Sequence, residues 1–288
     1  MVDFKRIAIT SRSRDKKTRD IALQCCEILS NQGIKILMSK HFEPLSPFSK
    51  KINFASDNVI SKSSNLIICI GGDGTMLSSA RKFSKSKAPL LGINLGKVGF
   101  LTDFQPHKLA KSLNEVLKGM YLKDDRFFIE ASINKNKRKL IALNEIVIHS
   151  GAIAKMIEYE VFIDDKFVYS QKSDGLILNS PTGSTAYSLS GGGPIIYPSV
   201  DSFTLLPILP QSLSSSPLVI PGNSKIEIII GDNPNKAVLS IDSHDKVELK
   251  KGDRVLVKKS FESIELIHPK DHDFFSSCRN KLGWSRSL

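Results

Sequence analysis

Long apolar runs are missing from this chain. No segment approaches the ~18 consecutive apolar residues that a membrane span needs. The opening Met1-Val2-Asp3-Phe4-Lys5-Arg6 places charges where a signal peptide carries its apolar stretch. A cytoplasmic protein with no membrane partner is expected. Cysteine is scarce: Cys25, Cys26, Cys69 and Cys278 show no metal-ligand spacing, and two of them are adjacent. Reduced thiols, with no disulfide and no zinc ligand set, fit best. Aromatic residues make up only 7%, and no zinc finger, RRM signature or basic heptad accompanies the net charge of +12. The 41 Lys and Arg residues are scattered, which reads as a solvated basic surface partly serving polyphosphate ligands, with no nucleic acid as partner. Two phosphate motifs are absent as well. Gly96-Lys97 has Leu91 where a Walker A glycine would stand and Val98 where Ser or Thr is needed. Gly92, Gly96 and Gly99 miss the G-x-G-x-x-G spacing.

What is present suggests two domains, since 288 residues exceed the usual size of one and 41% are hydrophobic. Residues 6–10, 34–38, 65–70 and 90–94 read as strands. Helical patterns run through Ile21–Leu29, Met76–Phe83 and Pro106–Leu117, while residues 40–58 read as a loop. That rhythm predicts an α/β N-terminal domain with an open, mostly parallel sheet over residues 1–122, joined by the C-terminal segment 269–288. Past Arg126, short runs at 127–133, 139–148, 157–163, 174–179, 226–230, 237–241 and 254–258 predict an all-β, sandwich-like domain over residues 123–268. Asp271–Leu282 reads as a last helix.

The strongest chemical signal is Gly71-Gly72-Asp73-Gly74-Thr75, directly after an apolar strand. Ligands collect at the carboxyl ends of parallel strands, where helix N-termini present free N–H groups. Glycines there permit positive φ and let phosphates approach the backbone. A carboxylate in that turn repels an anion, so it is expected either to accept a proton from an attacking hydroxyl or to help hold magnesium. The plain alternative is an Asp helix cap. A second signal is the hydroxyl- and glycine-rich Ser180–Pro194, with Tyr187 available to lie against a base or simply to pack. A third comprises Asn144-Glu145 and Lys172-Ser173-Asp174-Gly175: an amide and carboxylate can bind ribose hydroxyls and a base edge, and Lys172 can meet a phosphate.

Together, Ile70–Thr75, Leu91–Leu101, Asn144-Glu145, Ser173–Gly175, Pro181–Pro194 and the tail Lys281-Leu282-Gly283-Trp284 resemble bacterial NAD kinase, in that family's order from about residue 65 to the end. The resemblance implies phosphorylation of the 2′-hydroxyl of the adenosine ribose of NAD, with ATP and a divalent metal, generally Mg²⁺, to give NADP. It implies NAD and ATP as substrates and a homodimer or homotetramer. Asp73 would be the base. Gly74, Asn144, Glu145, Asp174 and the run Thr185, Ala186, Tyr187, Ser188, Leu189 and Ser190 would contact the dinucleotide, as would Asp73 itself. Lys155, Lys172 and His244 stand where relatives often carry further basic or amide contacts. No residue is assigned as a metal ligand. The chain departs from the family at Pro210–Pro217, where Gln211 and Ser216 replace a histidine and an arginine. A lipid or sugar kinase with the same turn, a non-catalytic dinucleotide-binding regulator and a nucleic-acid binder are the competing readings.

Overall fold

The computed structural model describes residues 4–42, 52–96, 99–134, 139–151, 155–212, 214–232 and 237–284. Lys97, Val98, Leu213, the middle of the 40–58 loop and the end of the turn at 231–234 lie outside them. The chain forms two compact units, residues 1–125 with 264–288, and residues 126–263.

The first unit contains β1 (Arg6–Ser11), α1 (Lys16–Asn31), β2 (Lys35–Ser39), β3 (Ile52–Ala55), α2 (Asp57–Ser63), β4 (Leu66–Ile70), α3 (Asp73–Lys82), β5 (Leu90–Ile93) and α4 (Leu109–Leu117). Its strands lie parallel in the order β5-β4-β1-β2-β3. Every residue of β4 is buried, as an apolar run in a parallel sheet covered on both faces should be. Asp15 caps α1 by accepting from the Thr18 amide at 2.7 Å, and Ile21, Ala22, Cys25 and Leu29 bury one helical face. All four cysteines are free and buried. Burial pushes the Cys26 and Cys69 thiols up to about 12, so neither is a thiolate at neutral pH. The 40–58 loop is a correction: β3 and the start of α2 fall inside it. A four-residue edge strand is too short to show a period, and its pairing with β2 decides it.

The second unit begins within β6 (Tyr121–Ile133) and continues through β7 (Leu140–Ala142), β8 (Glu145–His149), β9 (Ile157–Ile163), β10 (Lys166–Ser173) and β11 (Gly175–Asn179). A 3₁₀ turn (Thr182–Thr185) and the short α5 (Tyr187–Ser190) precede β12 (Ser202–Ile208), β13 (Leu218–Pro221), β14 (Ile226–Ile230), β15 (Ala237–Ile241) and β16 (Asp245–Leu249). β17 (Arg254–Pro269) then leads back into the first unit, where its Leu266 and Ile267 pair in parallel with β5, followed by α6 (Phe274–Leu282). One antiparallel sheet runs β13-β12-β11-β8-β15-β16 and another runs β10-β9-β14-β17. Ile146, Leu176 and Phe203 from one sheet share a core with Tyr159, Ile228 and Val257 from the other, so the predicted sandwich is what forms. The expected strand 139–148 is in fact two, β7 and β8, broken at Leu143-Asn144. The break belongs to the site.

Candidate active site

The turn after β4 delivers Asp73 as the first residue of α3, with Gly72 as the N-cap and no side-chain cap bond. The capping alternative therefore fails: Asp73 does not bond its own helix. Its carboxylate instead reaches the segment after β5. Oδ2 accepts from the Phe100 amide at 2.7 Å, and Oδ1 accepts from the Leu101 amide at 3.1 Å and the Thr102 hydroxyl at 3.0 Å. A carboxylate offers about four acceptor positions. Three are filled, and the open one is on Oδ2. Gly99 makes this possible, because a Cβ there would lie 1.8 Å from Oδ1. Of the motif glycines Gly71, Gly72 and Gly74, only Gly71 uses positive φ, at 150°. Gly72 and Gly74 are exposed, with open space where a Cβ would be, leaving their backbone approachable.

Asp73 lines a cavity of about 760 Å³ within the first unit, shared with Phe100, Asp103, His272, Asp273 and Lys281. The Lys281 ammonium lies 4.0 Å from the centre of the Phe100 ring and has no hydrogen-bond partner among the described residues. Burial holds its pKa below the usual lysine value, opposed by the charges of Asp73 and Asp103. Asp103 accepts from Nδ1 of both His268 and His272 at 2.8 Å. Burial disfavours the His268 imidazolium, but hydrogen bonds and charge from Asp103 and Asp124 outweigh it and raise the pKa to about 9. Among the described residues, Asp103, His268 and His272 are the group whose ligand atoms converge, within 4.8 Å. Their rings stack at 4.2 Å and both spend Nδ1 on one carboxylate oxygen, so hydrogen bonding accounts for the cluster. Magnesium, which prefers oxygen ligands, does not fit it.

In the second unit, Asn144 and Glu145 sit at the break between β7 and β8. The Asp242 carboxylate accepts from the amides of Leu143, Asn144 and Glu145 at 2.9–3.1 Å, and Leu143 and Asn144 lie outside strand pairing. The 3₁₀ turn presses from the other side: a Cβ on Gly183 would stand 2.3 Å from the Asn144 carbonyl oxygen. Asn144 Oδ1 is buried without a partner among the described residues, as is Ser188 Oγ, and buried polar atoms left unpaired call for a ligand or water. Asp174 and Tyr187 line one cavity of about 510 Å³ with His149, Ser243 and Lys246. Tyr187 is 47% exposed, so it is not core. Thr185, Ala186 and Leu189 are half-buried around it and Ser190 is exposed. Lys155 is exposed, His244 is exposed in the turn after β15, and Lys172 forms an exposed ion pair with Glu158 at 3.4 Å. None of these three lines the 510 Å³ cavity. Gln211 and Ser216 are exposed. Sequence patterns do not single out Asp242, Asn94, Thr102 or Lys281 as individual residues. Asp242 carries no motif, whereas Asn94 and Lys281 lie inside the stretches that carry the family resemblance.

Residues 7–121 match the ATP-NAD kinase N-terminal domain and residues 143–269 the ATP-NAD kinase C-terminal domain. A protein of Teredinibacter turnerae named NAD kinase is 40% identical over 99% of this chain and 98% of its own. Among solved structures, yeast NADH kinase complexed with NADH superposes with a TM-score of 0.88 at 27% identity, covering 99% of this chain and 89% of that one. An NAD kinase from Archaeoglobus fulgidus in complex with ATP gives a TM-score of 0.73 at 26% identity, covering 96% and 97%.

Proposed function

This chain belongs to the ATP-NAD kinase family, and from that premise we propose how its residues divide the work. The reaction is phosphorylation of the 2′-hydroxyl of the adenosine ribose of NAD, with ATP as donor, giving NADP. The hydroxyl oxygen bonds to the γ-phosphorus, the hydroxyl proton leaves, and the bond from phosphorus to the bridging oxygen breaks with its electron pair going to ADP. Catalysis of such a transfer is mainly positioning and charge neutralisation. Asp73 is the base. The observation that carries this is its carboxylate, clamped by three donors yet keeping one acceptor position open on Oδ2, where the proton is received. A positioned base contributes about 10²- to 10⁴-fold.

Gly74 offers approachable backbone to the dinucleotide. Asn144 and Glu145, held by Asp242, bind ribose hydroxyls and a base edge. Asp174 and Tyr187, with Thr185, Ala186, Ser188, Leu189 and Ser190, shape its remaining pocket, and Lys155, Lys172 and His244 add outer contacts. The Lys172 ion pair is exposed and so worth little, leaving its ammonium to a phosphate. Lys281, unpartnered beside Asp73, serves the donor phosphates. The family's divalent metal, Mg²⁺ in this reading, fits here only as an ion held largely by those phosphates with one or two carboxylates. Asp273, which lines the same cavity, offers the carboxylate oxygen for it, while the open position on Asp73 Oδ2 stays with the proton. Bound there, the metal neutralises charge on the transferred phosphoryl group. A cytoplasmic homodimer or homotetramer completes the proposal. No helix among the described residues is long and apolar enough to cross a membrane, and edge strand β10 leaves Phe167 58% exposed.

The test is an assay of NADP formation from NAD and Mg-ATP with Asp73→Asn, at low and high Mg²⁺. The variant keeps size but loses charge and basicity. kcat falls at least 100-fold, NAD affinity by calorimetry survives, and extra Mg²⁺ does not rescue. A rate within about threefold of wild type refutes the assignment.

A further inference from the structure

Asp73 does not orient itself. We propose that Thr102, itself fixed by Asn94, is a positioning residue that saturates Asp73 Oδ1 and so aims Oδ2 at the substrate hydroxyl. This deepens the assignment of Asp73 as base and rests on it.

The hydrogen-bond directions follow from chemistry. The Gly96 amide can only donate, and it lies 2.7 Å from Asn94 Oδ1. That fixes the orientation of the Asn94 side-chain amide, leaving Nδ2 to face Thr102. Nδ2 carries only hydrogens to give, and it sits 2.8 Å from Thr102 Oγ1 and 3.3 Å from the Thr102 carbonyl oxygen. Thr102 Oγ1 therefore accepts from Asn94, and its one proton is free to go to Asp73 Oδ1, 3.0 Å away. A relay Asn94→Thr102→Asp73 results, polarised in one direction. Water has little access to loosen it: Thr102 is 0% exposed and Asn94 3%. Both residues lie in the segment directly after β5, tied to that strand by the Asn94 amide on the Phe104 carbonyl and the Phe104 amide on the Gly92 carbonyl. The relay thus stands on the sheet rather than on a loose loop.

The consequence is at the carboxylate. With Leu101 and Thr102 both on Oδ1, that oxygen has no position left, and the Phe100 amide takes one of two on Oδ2. Were the Thr102 hydroxyl lost, Oδ1 would regain a free position. The carboxylate could then present either oxygen, and the orientation that catalysis of proton transfer needs would be shared with an unproductive one.

The experiment compares Thr102→Val, which keeps shape and removes the hydroxyl, with Thr102→Ser, which keeps the hydroxyl, each alone and with Asp73→Asn. We expect Thr102→Val to lower kcat about tenfold or more while KM for NAD and for ATP stays within about twofold, and Thr102→Ser to recover most of the rate. In the Asp73→Asn background, Thr102→Val should cost nothing further in residual turnover. Should Thr102→Val fail to fold, Thr102→Ala carries the same test without setting a methyl against the carboxylate. An equal loss from Thr102→Val with and without Asp73 marks a purely structural role and overturns the inference. So does a Thr102→Val rate near wild type while Asp73→Asn is inactive. A wild-type rate for Asp73→Asn instead overturns the assignment of the base, so the two failures are distinguishable.

Discussion

Gly99→Ala adds a single methyl group, and the structure says where it goes. The new Cβ would lie 1.8 Å from Asp73 Oδ1 and 2.5 Å from both the Asp73 carboxyl carbon and Thr102 Oγ1. Nonbonded carbon contacts settle at about 3.5–4.0 Å, so the carboxylate must retreat by more than an ångström. The atoms that the methyl meets are those of Asp73 and of Thr102, which bonds it, so the effect falls on the base and its hydrogen-bond partner. A displacement of that size at a reacting group costs about 10²-fold in rate, so kcat should drop at least that far. Stability is less affected. The site is only half-buried, and a displaced carboxylate can recover hydration for the hydrogen bonds it loses, a net cost of about 1–3 kcal/mol. At this chain length that is a fall in Tm of several degrees. Steady-state kinetics with both substrates, beside a thermal melt, reads both quantities. A folded Gly99→Ala enzyme with kcat within about threefold of wild type would refute the geometry. A loss carried only by KM for NAD would refute the claim that Gly99 acts through Asp73.

Asp242→Ala strips the acceptor from three buried backbone amides, each worth about 1–3 kcal/mol when left unmade. A marked loss of Tm and a KM for NAD raised at least tenfold are expected, and an unchanged KM in the folded variant contradicts the placement of Asn144 and Glu145. Lys281→Met keeps the packing on Phe100 but removes the charge, so KM for ATP should rise about tenfold with KM for NAD little changed; the reverse pattern rejects a donor-side lysine. His268, facing Asp103, Asp124 and His272, has its pKa raised from 6.5 to about 9 in the folded state. Its contribution, at most about 3 kcal/mol, is therefore fully present below pH 6.5 and lost as pH rises through 9. The Tm gap between wild type and His268→Gln should be wide at pH 6 and narrow by pH 10, and a gap that widens with pH would contradict the protonated state.

Much of this protein is legible in its local sequence patterns. The buried run Leu66–Ile70, the glycine turn after it, and the change of rhythm near Arg126 are such patterns. Apolar spacing reports directly whether a segment buries one face or two, and an α/β unit and a β sandwich both form. Edge and interrupted strands do not show. β10 and β16 are largely polar, and β12 carries Pro207 in its apolar run, so their pairing partners rather than their own sequence make them strands. The site divides in the same way. Residue types mark Asp73, Asn144-Glu145 and the 180–194 segment as chemistry-bearing, because few other roles suit a carboxylate among glycines or so many hydroxyls together.

Their partners lie far along the chain. Asp73 is clamped by residues 27 to 29 positions later, and Asn144 is held by Asp242, 98 positions away. By itself the sequence determined which side chains could donate, accept or be buried. The tertiary structure alone decided which of them meet. A hydrogen bond acts over about 3 Å, and the strand order that brings β5 beside β4 and β15 beside β8 is a property of the whole sheet rather than of any segment within it.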